Sequence, residues 1–427
     1  MGRKDFSEKS GRHVINRREF LASTGIAVAS ALSGVSISFA QEKRPVKVGF
    51  ILPEQGPYAM ESRSLLAGFQ LFLKEKKPDG PQVEIVKKDP GPNDERALEA
   101  LAELIAPKDV LFIVAPPSLK GSEQIIHGTA GANRIVFITN PSVRLVSGEM
   151  CLPAGFRIRS NTYQCGYSLS AWALKNAGRK AFLCGDDVPE ANEVADFFAY
   201  GFERSGGTFA NRIMIPPDSQ DFGKLLEAMN ASDATLVFAA FSGEKAAGFM
   251  KALSNAAPAI KQSLIGPEYL SSFPETVDLM KGTSLSVRTV TSVIEPQEFT
   301  RVLKEKTGIE TDDASRAAEG YDLAQVILGA ASGIQNEDTD VDSLSKSIAE
   351  MTISGPRGKF TFDKNHEPVL EMLVQEWQFS GQAPNRKVIE TLGSVKTPDL
   401  GCGRIGFQTK PESEIKDEDP VWEDKDQ

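Results

Sequence analysis

From residue 45 onward, short apolar runs alternate with segments of helical period, and few folds accept that rhythm. The opening unit sets it. Val46-Lys47-Val48-Gly49-Phe50-Ile51-Leu52 reads as a buried strand that breaks at Pro53. A Gly56-Pro57 turn follows, then a helix over 62–74 with Leu65, Leu66, Phe69 and Leu73 on one face. Strand, loop and helix make the first half of a parallel βαβ unit, which binds ligands at the carboxyl ends of its strands. The loop 54–61 is therefore expected to form the first wall of a site.

Strands are expected next at 83–86, 110–114 and 135–139. Between them, Asn93 or Asp94 is expected to cap a helix with Leu98, Leu101, Leu104 and Ile105 turned inward, and a second helix covers about 122–132. Residues 143–165 lack a clear period and read as irregular. The rhythm then restarts, with helices at 167–177, 191–204, 222–230 and 244–255 and strands at 180–184, 208–215, 234–239 and 263–265. A strand at 286–294, helices at 297–307, 314–334 and 341–351, and a hairpin of 358–363 with 369–379 complete the pattern. The class implied is α/β, with two parallel sheets of similar design.

The first forty residues read as a targeting segment. Asn16-Arg17-Arg18-Glu19-Phe20-Leu21 has the form of a twin-arginine export motif. The Ala-, Gly- and Ser-rich run 21–39 leads to Ser38-Phe39-Ala40, small residues suited to cleavage before Gln41. The mature protein is thus expected in the periplasm, with no direct membrane insertion after cleavage. The 427-residue chain has a net charge of −10. Removing six Lys/Arg and three Asp/Glu with the signal leaves 42 basic against 55 acidic residues, or −13. That balance argues against nucleic acid and anionic membrane surfaces as partners.

Four cysteines remain: Cys151, Cys165, Cys184 and Cys402. Their spacings do not suggest a metal site, and no cofactor is expected. Cys184 ends an apolar run and reads as a buried free thiol. Cys151 and Cys165 could pair with each other, or either with Cys402. Residues 411–427 hold eight acidic residues and two lysines, the composition of a disordered tail.

Several strand-end loops carry a resemblance to type I periplasmic solute-binding proteins, in particular the leucine/isoleucine/valine-binding family that feeds ABC importers. The markers are Val46-Lys47-Val48-Gly49 with Gly56-Pro57 and Gly68; Ile138-Thr139-Asn140-Pro141-Ser142; Asp221-Phe222; Gly266-Pro267-Glu268; Gly320-Tyr321-Asp322; and Gly355-Pro356-Arg357-Gly358 with Phe362-Asp363. The likeness covers about residues 45–378. It implies two α/β lobes joined by a three-crossover hinge. Lobe 1 would be 45–160 plus 287–357, lobe 2 161–286 plus 358–380, and 381–427 a C-terminal extension. It also implies a monomer that takes a small-molecule ligand into the interlobe cleft, closes by hinge motion and delivers the ligand to an ABC permease.

The resemblance assigns roles to residues. The family holds an amino acid's carboxylate with a hydroxyl and backbone N–H groups on two first-lobe loops, here Pro116-Pro117-Ser118 and Asn140-Pro141-Ser142. Helix N-termini there suit an anion. Ser118 is the leading hydroxyl, and ordinary capping is the competing role for Ser118 and Ser142. A second-lobe acid pairs with the ligand's ammonium, and Glu268 matches it. Two positions depart from the pattern, since Glu61 and Glu190 stand where the family often places tyrosines. Phe241 is expected as an aromatic wall, with Tyr58 and Tyr269 close by in sequence. Acids in place of aromatic walls would favour a cationic or polyamine-like ligand, or one bridged by a metal ion, unless both sit in water at the cleft rim and Tyr58 or Tyr269 takes over stacking.

Other classes fit less well. The mature chain has two histidines, His127 and His366, and neither belongs to a catalytic pattern, so no enzyme is expected. A sensor or accessory protein on the same fold, docking another periplasmic protein such as a redox enzyme system, is the alternative.

Overall fold

Among the described residues every pairing in the first sheet is parallel, as the alternating sequence requires, whereas the second sheet combines four parallel with four antiparallel pairings. The computed structural model describes residues 45–75, 82–256, 261–271, 285–311, 313–332, 340–379 and 385–398, with 278, 280, 334 and 400. The first sheet contains β1 (Val46–Ile51), β2 (Val83–Lys88), β3 (Val110–Val114), β4 (Ile135–Ile138) and β5 (Gly155–Arg157), in the order β2-β1-β3-β4-β5. Helices α1 (Ala59–Glu75), α2 (Ala97–Ile105) and α3 (Leu119–Thr129) connect its first four strands. Strands β3 and β4 are buried along their whole length, as expected of a sheet covered on both faces. Phe50, Phe69, Phe112, Phe137 and Phe156 form the centre of its core.

The second sheet starts with β6 (Lys180–Asp186), β7 (Thr208–Ile215), β8 (Leu236–Ala240), β9 (Ser263–Pro267) and β10 (Ser286–Thr291), all joined in parallel. Between them run α4 (Thr162–Asn176), which precedes β6, then α5 (Pro189–Arg204), α6 (Gly223–Ala231) and α7 (Gly243–Ala256). Three further helices, α8 (Pro296–Thr307), α9 (Ala314–Ala331) and α10 (Val341–Ala349), follow β10. Strands β11 (Thr352–Gly355), β12 (Gly358–Phe362), β13 (Pro368–Gln378) and β14 (Asn385–Val395) end the described chain. The order is β11-β12-β13-β10-β9-β8-β6-β7, with β14 on β13. β10 bonds β9 and β13 of this sheet, although the sequence reading gives residues from 287 on to the first lobe. Phe360 and Phe362 of β12, in turn, pack into the core of the first sheet.

Several local expectations need correction. The stretch 143–165 is not irregular throughout. It supplies β5, and α4 begins at Thr162 with a capping box of Asn161 and Gln164. Helix α2 starts at Ala97 without a side-chain cap, and Leu98 is exposed. The fourth apolar position is lost because the helix turns Leu98 outward while Leu101 and Leu104 face the sheet. Cys151 is disulfide-bonded, whereas Cys165 and Cys184 are free, so Cys151 does not pair with Cys165. Cys402, the segment 1–44 and the tail 411–427 lie outside the described residues. The extension from 381 is not all tail, because β14 pairs antiparallel along β13 from Gln378↔Asn385 to Leu370↔Val395.

Two markers, Gly68 and Gly320, have a direct physical reason. They stand where α1 and α9 cross. A Cβ on Gly68 would lie 1.7 Å from the Ala317 carbonyl oxygen, and one on Gly320 1.8 Å from that of Leu65. Backbone cannot yield cheaply there. Gly320→Ala is expected to destabilise the protein by at least about 1–3 kcal/mol, seen as a lower urea midpoint at unchanged slope.

Candidate functional site

The loops at the carboxyl ends of the strands meet between the two sheets. After β1, the Gly56 turn leads into α1, so Glu61 sits in the first turn of that helix, where its dipole favours an acid. Tyr58 is half-buried just before it. After β3, Ser118 caps α3, its oxygen accepting from Gly121 N at 2.9 Å. Its own proton goes to the buried Asp94 carboxylate. After β4, the Asn140 amide donates to Pro117 O and to Glu190 Oε1, each at 2.9 Å, and accepts from Ser142 N at 2.9 Å. Ser142 Oγ donates to Glu193 Oε1 at 3.3 Å, and Val143 N donates to Glu193 Oε2 at 3.2 Å. Glu190 and Glu193 both lie on α5, beyond β6 of the second sheet, so these bonds cross between the sheets.

Glu268 follows β9 and is 7 % exposed. The Ser315 hydroxyl of α9 donates to its Oε2, while Oε1 has no hydrogen-bond partner. Burial, with Asp313 nearby, raises its pKa to about 7, against the pull of Arg386 and Arg316. Glu319 is also raised to about 7 by burial, although Arg316 donates to it. Arg159 is buried beside them. Its Nη1 donates to Glu61 Oε2 at 3.0 Å and to Thr139 O at 3.1 Å. Burial opposes its charge, but Glu61, Glu319 and Asp313 outweigh that and keep it cationic. Burial also pushes up the Tyr58 and Tyr269 hydroxyls. Glu190 and Glu61 add to this at Tyr58, whereas Cys165 adds to it at Tyr269.

These contacts join Asn140 and Ser142 to α5 and set Tyr58 beside Glu190 and Glu61, while Ser118 pairs with Asp94 and Glu268 with Ser315. Glu61 and Glu190 do not simply hang in water at a rim, because each is half-buried with a named partner. Phe241 is the exception. It is fully buried in the second core, packed at 4.5 Å on Phe249 and 5.7 Å on Phe222, and is not a cleft wall. Phe241, the first residue after β8, turns its ring beneath the sheet, where Phe222 and Phe249 belong to the same apolar cluster. A surface cavity of about 380 Å³ lies elsewhere, against Leu71, Phe299, Val302 and Tyr321, and none of the residues above lines it.

Sequence reasoning passed over Arg159, Glu193, Asp313, Arg316 and Glu319. A signal existed for the first of these. Phe156-Arg157-Ile158-Arg159 alternates with period two, which marks a short strand and places both arginines on one face. Among the described residues, no group of three or more His, Cys, Asp or Glu could hold a metal ion, and no helix is long and apolar enough to cross a membrane.

Comparison with known proteins places this geometry. The family described as "Periplasmic binding protein" matches residues 45–383. The Leu/Ile/Val-binding protein homolog 6 of Brucella melitensis is 26% identical over 215 residues, covering 48% of this chain and 54% of the relative. The match spans about half the length of that curated relative. Among solved structures, a Rhodopseudomonas palustris ABC-transporter solute-binding protein in complex with benzoate superposes with a TM-score of 0.71 at 20% identity, covering 84% of this chain and 99% of the other. The leucine-binding protein LivK of Thermotoga maritima gives 0.67 at 21% identity, covering 81% and 99%. At these identities the structures speak to the fold alone. The family and its neighbours are solute-binding proteins rather than enzymes. The chain belongs to the periplasmic binding proteins, in the two-lobed type I, Leu-binding-like family.

Proposed function

We propose that this chain is the solute-binding component of an ABC importer. It captures a small polar solute bearing an amino group, an amino acid or amine, in the interlobe cleft and presents the closed form to a permease. One observation carries the reading. Glu268 is a buried carboxylate between the two sheets, held by Ser315 through Oε2, with the Thr291 hydroxyl close by and Oε1 outside hydrogen-bond geometry with any described group. A buried acceptor without a donor is costly, and an ammonium group supplies both the donor and the countercharge. Tyr58, Glu61, Ser118, Asn140, Ser142 and Glu190 on the strand-end loops are the further candidate ligand contacts. Relatives support the class. Structural neighbours were solved with benzoate and with isoleucine.

Periplasmic location follows from the family, and export by the twin-arginine route rests on Arg17 and Arg18. The chain is expected to work as a monomer without a cofactor. The accessory-protein alternative leans on the acidic tail, which lies outside the described residues, and no comparison favours it. A thermal-shift screen of the mature chain against amines, amino acids, amides and aromatic acids tests the reading. At a hundredfold excess over Kd, a true ligand stabilises by about 2.7 kcal/mol, which displaces the melting temperature by several degrees. A flat response to every solute would remove the receptor reading.

A further inference from the structure

We infer that the solute is a cationic amine without a carboxylate, because the chain's own acids take up the donors that would hold one. This rests on the receptor reading above and narrows it. Ser118 has one hydroxyl proton, and it goes to Asp94. Asn140 has two amide protons, and they go to Pro117 O and Glu190 Oε1. The Ser142 hydroxyl and the Val143 N–H both go to Glu193. The loops that the family resemblance assigns to an anion are therefore already neutralised from within the chain. A ligand carboxylate could enter only by displacing one of these acids, leaving it buried and unpaired.

The acceptor side is the reverse. Asp94 Oδ1 and Glu268 Oε1 are buried acceptors without a hydrogen-bond partner, on residues 3 % and 7 % exposed. One lies on the first-sheet wall and one on the second. Arg159 gives its Nη1 protons to Glu61 and the Thr139 carbonyl, and with Glu61, Glu319 and Asp313 around it this one cation is outnumbered by acids. Spent loop donors and buried acceptors in an acid-rich setting together select a ligand that donates hydrogen bonds and carries positive charge.

Matched pairs that differ only by a carboxylate test this directly on the mature full-length chain. The pairs are 3-methylbutylamine against leucine, benzylamine against phenylglycine, and 1,4-diaminobutane against ornithine, with benzoate as a carboxylate lacking an amine. Calorimetric titration is expected to show at least one amine binding tenfold or more tighter than its amino-acid partner, with benzoate weaker still. An amino acid or benzoate that outcompetes the amines would overturn the inference while leaving the receptor reading intact. If no compound of either kind binds, the amine-receptor reading itself fails, and this inference with it. Glu190→Ala, which frees one Asn140 proton, is expected to narrow the ratio between the members of a pair at least threefold. A ratio that does not move would take Glu190 out of carboxylate exclusion and count against the inference.

Discussion

Arg157→Met is expected to lower the unfolding free energy by about 3–5 kcal/mol, the loss seen when one partner of a buried ion pair is removed. Arg157 and Glu367 are both fully buried, with Nε donating to Oε2 at 2.8 Å. Nη1 donates to the carbonyl of Asn140 and Nη2 to that of Ser142. Glu367 also accepts from Ser147 Oγ and Asn161 Nδ2, each at 3.0 Å. This one acid therefore gathers β5, the start of α4 and the β12–β13 turn, where the chain passes between the sheets. Taking the arginine away strands it and releases the carbonyls of the loop that faces Glu190. Denaturant unfolding checks the size. The double variant Arg157→Met with Glu367→Leu should recover part of the loss, because no buried charge is then left unpaired.

The second large effect concerns Glu268. Glu268→Gln is expected to weaken an amine-bearing ligand roughly ten- to a hundredfold, the worth of a hydrogen bond to a charged group. Proton linkage adds a pH signature. Asp313, which caps α9, Arg316 of α9, Arg386 of β14 and Cys165 of α4 face the carboxyl, and its pKa of about 7 lies above the ordinary 4.5. The folded state thus holds the proton more tightly than the unfolded chain. Its contribution to stability is fully present below about pH 4.5 and is lost as pH rises to about 7. Ligand capture runs the other way. An ammonium needs the ionised acid, so affinity should fall up to about tenfold per unit as pH drops below 7 and level off above it. Titrations between pH 5.5 and 8.5 test both limbs. A wild-type affinity that stays flat across that range would remove Glu268 as the ammonium partner, and Gln at this position should abolish the slope.

Much of the scaffold was legible because parallel βαβ units print a strong local pattern. Strand β3 carries an unbroken apolar run and α1 a one-sided stripe, and both lie within a few residues of where periodicity puts them. Glu268 was legible too, since Gly266-Pro267 fixes it at a strand end. Arg159 was not. Its meaning depends on Glu61, 98 residues away, and sequence spacing carries no such information. Arg316 and Glu319 look like a surface i,i+3 pair, yet both are buried because α9 is covered on nearly every side. Phe241 shows the opposite limit. The ring was correctly noticed, but the direction in which a strand-end side chain points is decided by its neighbours, here Phe222 and Phe249. Strand β14 was hidden by its composition, since most of its side chains remain outside the core and only its backbone is committed.

That commitment protects the molecule from other copies of itself. The family match stops at residue 383, just short of β14. Without the last strand, the 11 residues of β13 would present a long row of unsatisfied N–H and C=O groups, the template on which foreign strands add and chains aggregate. β14 saturates that row and replaces it with a margin bearing Lys387 and Glu390, the kind of charged border that resists further strand addition. The Glu390 carboxylate is also anchored by Trp172 Nε1 at 2.7 Å, and Thr397 Oγ1 accepts from Asn161 at 2.6 Å, so the border is stitched down along its length. A strand with most of its side chains outside the core thus closes the edge of the sheet.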